Sequence, residues 1–468
     1  METSGKSLHR PKLRWSTKLA YGAGDMGAGL TSNLLAFSFL IFLTNVAGLE
    51  PLAAGTVLLI GKIWDAVNDP LVGILSDRTR TRWGRRYPWI ALTAIPFGLT
   101  FYLNWIVPGL TSQVALFWYY VAVSILFQIF FTTTNLPYST LTAELTQDYD
   151  ERTELTSFRL SFSLFGAVAV LALGLVVSNL IEDSQQQYQV LGLIGGGISI
   201  LTIFWCVFGT FPYYKEQADY RGRSLENTTE DEDSISFLQQ LIIVFSNWPF
   251  LFVVGIYLFS WLALQITATI IPFYVTFWMG ADDYFLAALL VQGTAILMMA
   301  VCNLISKRIG KKGLYFLGSG LWIFVQIALF FLQPGQLGIM YGLCVLASFG
   351  VATAYVVPWS ILPDVIELSE LKTGQRREGI FYAFMTLLQK IGLAVGSFLV
   401  SLALQTSEFA ADAPTQPESA LLAIRFFMGP FPLILLIFGI LLTYFYPITK
   451  ASHAETLLKL AERRQQAP

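Results

Sequence analysis

Three charged residues stand where a charge is hardest to keep. In the run Gly61-Lys62-Ile63-Trp64-Asp65-Ala66-Val67-Asn68-Asp69-Pro70, Lys62, Asp65 and Asp69 are spaced i, i+3 and i+7. On a helix that spacing puts all three on one face. The stretch around them is apolar over roughly 52–76, long enough to cross a bilayer, and the triplet falls near its middle. An ionisable group at that depth costs about 2.5–3.5 kcal/mol on insertion scales, so it needs a cavity and a partner. Two carboxylates against one lysine leave a surplus negative charge. Carboxylate oxygens can replace part of the water shell of a hard cation. Asp65 and Asp69 are therefore the candidate ligands of a small monovalent cation, and Lys62 a counter-charge. The alternative is an ion-pair cluster between helices, which has no need of the second acid.

Other charges sit in apolar runs. Lys390, in Phe384-Met385-Thr386-Leu387-Leu388-Gln389-Lys390, is about 12 residues (roughly 18 Å) from either end of its span, too far to reach an interface. It is the natural counter-charge to the two acids. Asp25, within Tyr21-Gly22-Ala23-Gly24-Asp25-Met26-Gly27-Ala28-Gly29, is flanked by small residues that let a helix or a ligand approach closely. Arg159 lies early in its span, where an interfacial anchor is an even alternative to a cavity residue. Arg425 reads as interfacial.

The elements that must position these groups are transmembrane helices. Hydrophobic residues make up 55% of the 468 residues and charged residues 13%, with mean hydropathy +0.60. About a quarter of a soluble domain is charged, so this chain cannot build a water-facing surface of its size. Twelve spans are expected, at roughly 18–46, 52–76, 87–107, 113–135, 155–178, 190–212, 246–275, 283–306, 314–332, 337–362, 378–404 and 421–446. Such long helical runs exclude a β-barrel. The polar start, Met1 to Arg14, has no cleavage site after it.

None of the 29 Lys and Arg lies in the odd-numbered loops, near 47–51, 108–112, 179–189, 276–282, 333–336 and 405–420. By the positive-inside rule, both termini and all even-numbered loops are expected in the cytoplasm of a plasma (inner) membrane protein. The polar break at 213–245 reads as a cytoplasmic linker between six-helix bundles at 1–212 and 246–446, followed by a cytoplasmic tail, 447–468. The bundles echo each other: Leu136-Pro137-Tyr138-Ser139-Thr140-Leu141 matches Val357-Pro358-Trp359-Ser360-Ile361-Leu362, an offset of 221. Asp77-Arg78 … Gly84-Arg85-Arg86 is echoed more weakly by Ser306-Lys307-Arg308 … Gly310-Lys311-Lys312. Parallel repeats of this kind suit a carrier with a central cavity.

Charges at the helix ends offer a gate. Asp77, Arg85, Arg86 and Asp148 of the first half and Arg376 and Arg377 of the second could pair to close the cytoplasmic side; solvated loop charge is the equal alternative. Other chemistry is excluded. The net charge of −2 leaves no basic footprint for nucleic acid. Cys206, Cys302 and Cys344 lie in apolar runs without disulfide or zinc spacing, and His9 and His453 lie in polar tails. There is no Ser/His/Asp set, metal cluster or nucleotide loop, so no enzyme and no resident cofactor is expected.

These residues resemble the glycoside–pentoside–hexuronide:cation symporters of the major facilitator superfamily, typified by the melibiose carrier. The likeness spans the chain. It rests on Lys18-Leu19-Ala20-Tyr21-Gly22-Ala23-Gly24-Asp25, on the segment from Lys62 through Ile90, on Leu136 through Arg159, and on Thr373 through Lys390. The resemblance implies an all-α fold of twelve helices in two pseudo-repeated bundles, with alternating access coupled to Na⁺, Li⁺ or H⁺. It makes Asp65 and Asp69 the paired acids of the cation site, Thr386 and Lys390 its span-eleven threonine and lysine, and Arg159 a sugar-recognition residue. Two positions depart from the pattern: a span-four acid is replaced by Asn135, and a span-one acid that contacts sugar is replaced by Gly29. Ser139 also stands where an aromatic is usual, with Tyr138 before it. The expectation is a monomeric cation-coupled symporter of a sugar, with cation ligands Asp65, Asp69, Asn135 and Thr386 and substrate contacts Asp25, Arg159, Tyr138 and Trp359. A lysophospholipid cargo and a non-transporting receptor are the alternatives.

Overall fold

The computed structural model describes residues 13–224, 245–373, 378–411, 413 and 415–466. Among them the regular structure is helical. In chain order the helices are α1 (Trp15–Ala23), α2 (Met26–Ile41), α3 (Pro51–Arg78), α4 (Tyr87–Leu103), α5 (Gln113–Leu145), α6 (Tyr149–Leu180) and α7 (Ser184–Ser224). They continue as α8 (Trp248–Phe273), α9 (Phe285–Phe331), α10 (Leu337–Thr373), α11 (Glu378–Thr406), α12 (Glu418–Met428), α13 (Pro430–Phe445) and α14 (Lys450–Gln466). One-turn π-helical segments, Phe42–Val46 and Tyr274–Trp278, extend α2 and α8.

These helices supply twelve crossings. Nine are long and apolar enough by themselves, and one of the nine, α9, has 47 residues and serves twice. It turns at Gly310, whose φ of +76° and ψ of +171° break the helix; an L side chain rarely adopts that φ. The short apolar helix Tyr87–Leu103 adds another crossing. The last is α3, whose intramembrane charges hold it apart from the nine. The chain does not leave the helix at 212: α7 runs on to Ser224, and 225–244 of the expected linker lie outside the described residues.

Local chemistry sets the helix ends. Asp148 caps α6, accepting from the backbone N–H of Asp150 at 3.0 Å and of Glu151 at 3.1 Å, and both acids fall in the positive first turn. Asn247 caps α8 in the same way, accepting from the N–H of Phe250, with Pro249 beside it where no N–H is needed.

Two compact units form. Unit 1 holds 1–35 and 64–232; unit 2 holds 36–63 and 233–468. The boundary thus cuts through α2 and α3 rather than falling at the polar break. Hydrogen bonds within unit 2 account for this: Tyr284 donates to Ser38 at 2.7 Å, Asn45 to the Ala411 carbonyl at 3.4 Å, and the Leu52 N–H to Gln405 at 3.3 Å. In unit 1, α1 packs on α6 and α7, and α4 on α5 and α7. The α1/α2–α6 contact is backbone to backbone. A Cβ on Gly29 would lie 2.0 Å from the Ser163 carbonyl oxygen, and one on Gly166 2.3 Å from that of Met26. In unit 2, α9 packs along α10, and α8 lies against α11 and α13. Arg425 ties α12 to α9, donating to the Phe330 carbonyl at 2.7 Å with its guanidinium 4.3 Å from the Trp278 ring centre.

Candidate cation and substrate site

Asp65 is 1% exposed, although it is a carboxylate on a membrane helix. One of its partners is a side chain that sequence reasoning passed over. The Thr132 hydroxyl lies 3.0 Å from Asp65 Oδ1 and 3.2 Å from Asp69 Oδ1, so one hydroxyl on α5 serves both acids of α3. Asn68, between them in sequence, fixes the pairing of the helices by donating to the Gln128 carbonyl at 3.4 Å. Pro70 and Pro137 lie inside these two helices. Each removes an N–H that would have bonded the carbonyl four residues earlier, at Ala66 and Thr133, leaving extra backbone oxygen near the acids. The arrangement is rich in oxygen and brings two carboxylates to one hydroxyl, the donor type that a hard cation takes.

The other expected cation residues are placed differently. Asn135 turns its amide to its own helix, donating to the Phe131 carbonyl at 3.0 Å. Thr386 likewise donates to the Tyr382 carbonyl at 3.0 Å. Lys62 lies half-buried on α3 and Lys390 half-buried on α11.

Of the expected substrate residues in unit 1, Asp25 and Arg159 meet as an ion pair, Nε to Oδ2, at 3.4 Å. Tyr138 is fully packed: its ring stacks on Tyr21 at 5.1 Å, and its hydroxyl donates to the Tyr21 carbonyl at 2.7 Å. The glycines near Asp25 thus admit a neighbouring helix and a tyrosine ring, since a Cβ on Gly24 would sit 2.5 Å from Tyr138. The structure gives Tyr138 no open face, so its expected contact with cargo has no geometric support.

Unit 2 brings aromatic rings together around Trp359. Trp359 meets Tyr257 edge-on at 5.7 Å and stacks with Tyr382 at 6.1 Å. Trp261 stacks with Tyr257 at 5.8 Å and meets Tyr355 edge-on at 5.6 Å. The Trp261 indole N–H donates to the Gln389 carbonyl at 2.9 Å, which orients the ring. Gln265, on the same helix, buries an amide oxygen with no hydrogen-bond partner among the described residues. Of this ladder sequence reasoning named only Trp359; its signal was aromatics at 257, 261, 355, 359 and 382, spaced at one helical turn within α8 and α10.

The expected gate charges pair within their own units. Arg86 forms an ion pair with Asp77, lies 3.5 Å from Glu144, and donates to Ser76 at 2.7 Å. Arg85 lies 3.3 Å from the same Glu144. Asp148 acts as the α6 cap described above. In unit 2, Lys311 donates to both oxygens of Asp364 at 2.7 and 2.8 Å. Arg376 and Arg377 lie outside the described residues.

Comparison with known proteins bears on this arrangement. The model of the MFS/sugar transport protein family matches residues 20–450. The chain belongs to that family. The resemblance to the glycoside–pentoside–hexuronide:cation symporters holds accordingly. This member of the MFS/sugar transport family is 42% identical to the uncharacterized symporter sll1374 of Synechocystis sp., over 98% of this chain and 99% of the relative. It is 28% identical to the sodium-dependent lysophosphatidylcholine symporter 1 of Mus musculus, over 98% of this chain and 90% of that one. A protein named as a glycoside/cation symporter, YagG of Escherichia coli K12, is 26% identical over 94% of this chain and 93% of its own. Among solved structures, a D-xylose-proton symporter matches with a TM-score of 0.65 at 17% identity, covering 92% of this chain and 97% of that one. The fold is therefore the twelve-helix major facilitator fold. The family member is an integral membrane protein and a secondary transporter of the symporter class, not an enzyme.

Proposed function

We propose that this transporter couples the movement of a sugar or glycoside to a monovalent cation by alternating access, with Asp65, Asp69 and Thr132 as the cation site. The observation that carries the proposal is the single hydroxyl shared by two carboxylates at membrane depth. Two negative charges that close repel one another unless a cation or a proton balances them. When a cation enters, the Thr132 hydroxyl turns its proton away and offers an oxygen lone pair in place of the hydrogen bond. Na⁺ is the first candidate, with Li⁺ and H⁺ as alternatives. Lys390 and Lys62 are the proposed counter-charges, and Asn135 and Thr386 the outer polar residues of the site.

The sugar cargo is supported by the Trp359 ladder. Sugar rings present an apolar face that stacks on aromatics and hydroxyls that need partners such as the Gln265 amide. The Asp25–Arg159 pair supplies further polar groups in unit 1. A lysophospholipid cargo is the second reading, favoured by the lysophosphatidylcholine symporter's 98% coverage of this chain. We place both termini in the cytoplasm, treat 1–212 and 246–446 as the bundles of the transport cycle, and take the carrier as a monomer in the plasma (inner) membrane.

Uptake of radiolabelled sugars and lysophospholipids into proteoliposomes, with and without an inward Na⁺ gradient, tests both parts. Accumulation of a sugar only with the gradient supports the first reading. Accumulation of lysophospholipid alone supports the second, and accumulation of either that is indifferent to Na⁺, Li⁺ and pH gradients contradicts cation coupling.

A further inference from the structure

A cavity of about 650 Å³ lies in unit 2, beside the break at Gly310. Its size is that of a small-molecule site. It is bounded by the 306–312 segment, the end of α10 near Asp364, and the stretch from Tyr446 to His453 that leads into α14.

The lining is charged in one sense. The Lys311 ammonium and the Asp364 carboxylate neutralise each other through two hydrogen bonds. Lys307 and Lys312 also line the cavity, and among the described residues neither forms an ion pair with a carboxylate. Lys312 donates to the Tyr446 backbone carbonyl, a neutral acceptor, and its ammonium lies 5.5 Å from the Tyr446 ring centre. The cavity therefore keeps a surplus of positive charge. His453, at its edge, lies 2.6 Å from Glu367 and 3.4 Å from Asp364. Those three groups have the spacing of a metal site, but Lys311 occupies both oxygens of Asp364 and would repel an incoming cation.

Tyr446 gives a second, independent indication of a ligand. It lines the cavity and is only 3% exposed, and its hydroxyl has no hydrogen-bond partner among the described residues. It stays protonated and is a donor lacking an acceptor, which is costly for a buried polar group. Ile309, Ile361 and Ile448 complete the wall with apolar surface.

We propose that this cavity is an anion site that takes a phosphate-class group carried on an apolar body. Lys307 and Lys312 supply the charge, and the Tyr446 hydroxyl donates the hydrogen bond. An occupant would tie the 306–312 segment to the root of the tail helix. An acidic phospholipid headgroup and a soluble phosphate compound share this chemistry.

The test is the thermal unfolding midpoint of the full-length purified carrier. In one arm, inorganic phosphate is titrated in detergent against chloride at equal ionic strength. In the other, nanodiscs of phosphatidylglycerol are compared with nanodiscs of phosphatidylcholine. A rise in midpoint with phosphate points to a soluble occupant, and a rise with phosphatidylglycerol alone to a lipid. In either arm the combined Lys307→Gln and Lys312→Gln variant should lose the rise. Tyr446→Phe, which keeps the packing, should weaken apparent affinity about tenfold, the effect of one hydrogen bond to a charged group. No rise over either control overturns the proposal, as does a rise that both variants retain. Should the lysine variant fold poorly, the Tyr446→Phe titration decides by itself.

Discussion

Thr132 Oγ1 donates to Asp65 Oδ1 at 3.0 Å, and this contact joins the polar turn of α5 to the buried face of α3. A threonine is small and neutral, and few would single it out in an apolar helix. Here it is the group through which two acids share one environment.

Thr132→Val should therefore weaken coupling more than its size change suggests. The substitution keeps the branched shape but removes an oxygen from beside two carboxylates. A hydrogen bond to a charged group is worth about 1.5–3 kcal/mol, so the apparent Na⁺ affinity should fall about tenfold or more, while Thr132→Ser should stay near wild type. The Na⁺ dependence of initial uptake rates measures this. Equal curves for Val and wild type would remove Thr132 from the site.

Asn135→Asp should raise cation affinity at alkaline pH. A third carboxylate adds attraction in a partly dehydrated site. It also cannot donate to the Phe131 carbonyl as the amide does, so it is freed to turn elsewhere. At lower pH the crowded acids raise one another's pKa and the new one takes up a proton, which cancels the gain. A Na⁺ response that is unaltered from neutral to alkaline pH would place Asn135 outside the site.

Gly29→Asp, which restores the span-one acid of the melibiose-type pattern, should abolish folded protein. Its Cβ would lie 2.0 Å from the Ser163 carbonyl oxygen, which belongs to backbone and cannot give way. Gly197→Ala faces open space and should leave expression unchanged or slightly improved, as helix propensity favours alanine by about 1 kcal/mol. Monodisperse yield in detergent compares the two.

Arg86→Gln should lower the unfolding midpoint clearly, and Asp77→Asn only slightly. Arg86 is buried beside Glu144, and removing one partner of a buried pair costs about 3 kcal/mol or more. Asp77 is largely exposed, and an exposed pair contributes under about 1 kcal/mol. Thermal unfolding of the two variants should rank them in that order; the reverse ranking would mean the cluster is solvated loop charge.

Span number and type, and the inward-facing acids of α3, were legible because a membrane restricts backbone to helices and makes each buried charge conspicuous. Partner choice was not. Thr132, Thr133 and Thr134 are equivalent in sequence, and only the packing of α3 on α5 selects the first for the acids, while Thr134 bonds Thr93 at 2.7 Å. The departure at Gly29 was visible, but its cause, a backbone contact with α6, is tertiary. Tyr138 read as a cavity residue because it stands just before Ser139, where the melibiose-type pattern has an aromatic. Gly24, just past α1, instead leaves room for its ring against Tyr21, whereas Trp359 remains partly open beside Tyr382. The charged ends were recognisable as acid–base clusters, yet Glu144 emerged as the shared acid only once the start of α4 met the end of α5.

The central claim is that Asp65 and Asp69 bind the coupling cation. Equilibrium binding of radiolabelled Na⁺ to the purified carrier, at alkaline pH and in competition with Li⁺, addresses it most directly. Wild type should bind saturably, and Asp65→Asn and Asp69→Asn, folded by their thermal profiles, should each lose that binding, since each removes a charged oxygen shared with Thr132. Saturable Na⁺ binding at wild-type affinity in either variant would contradict the claim.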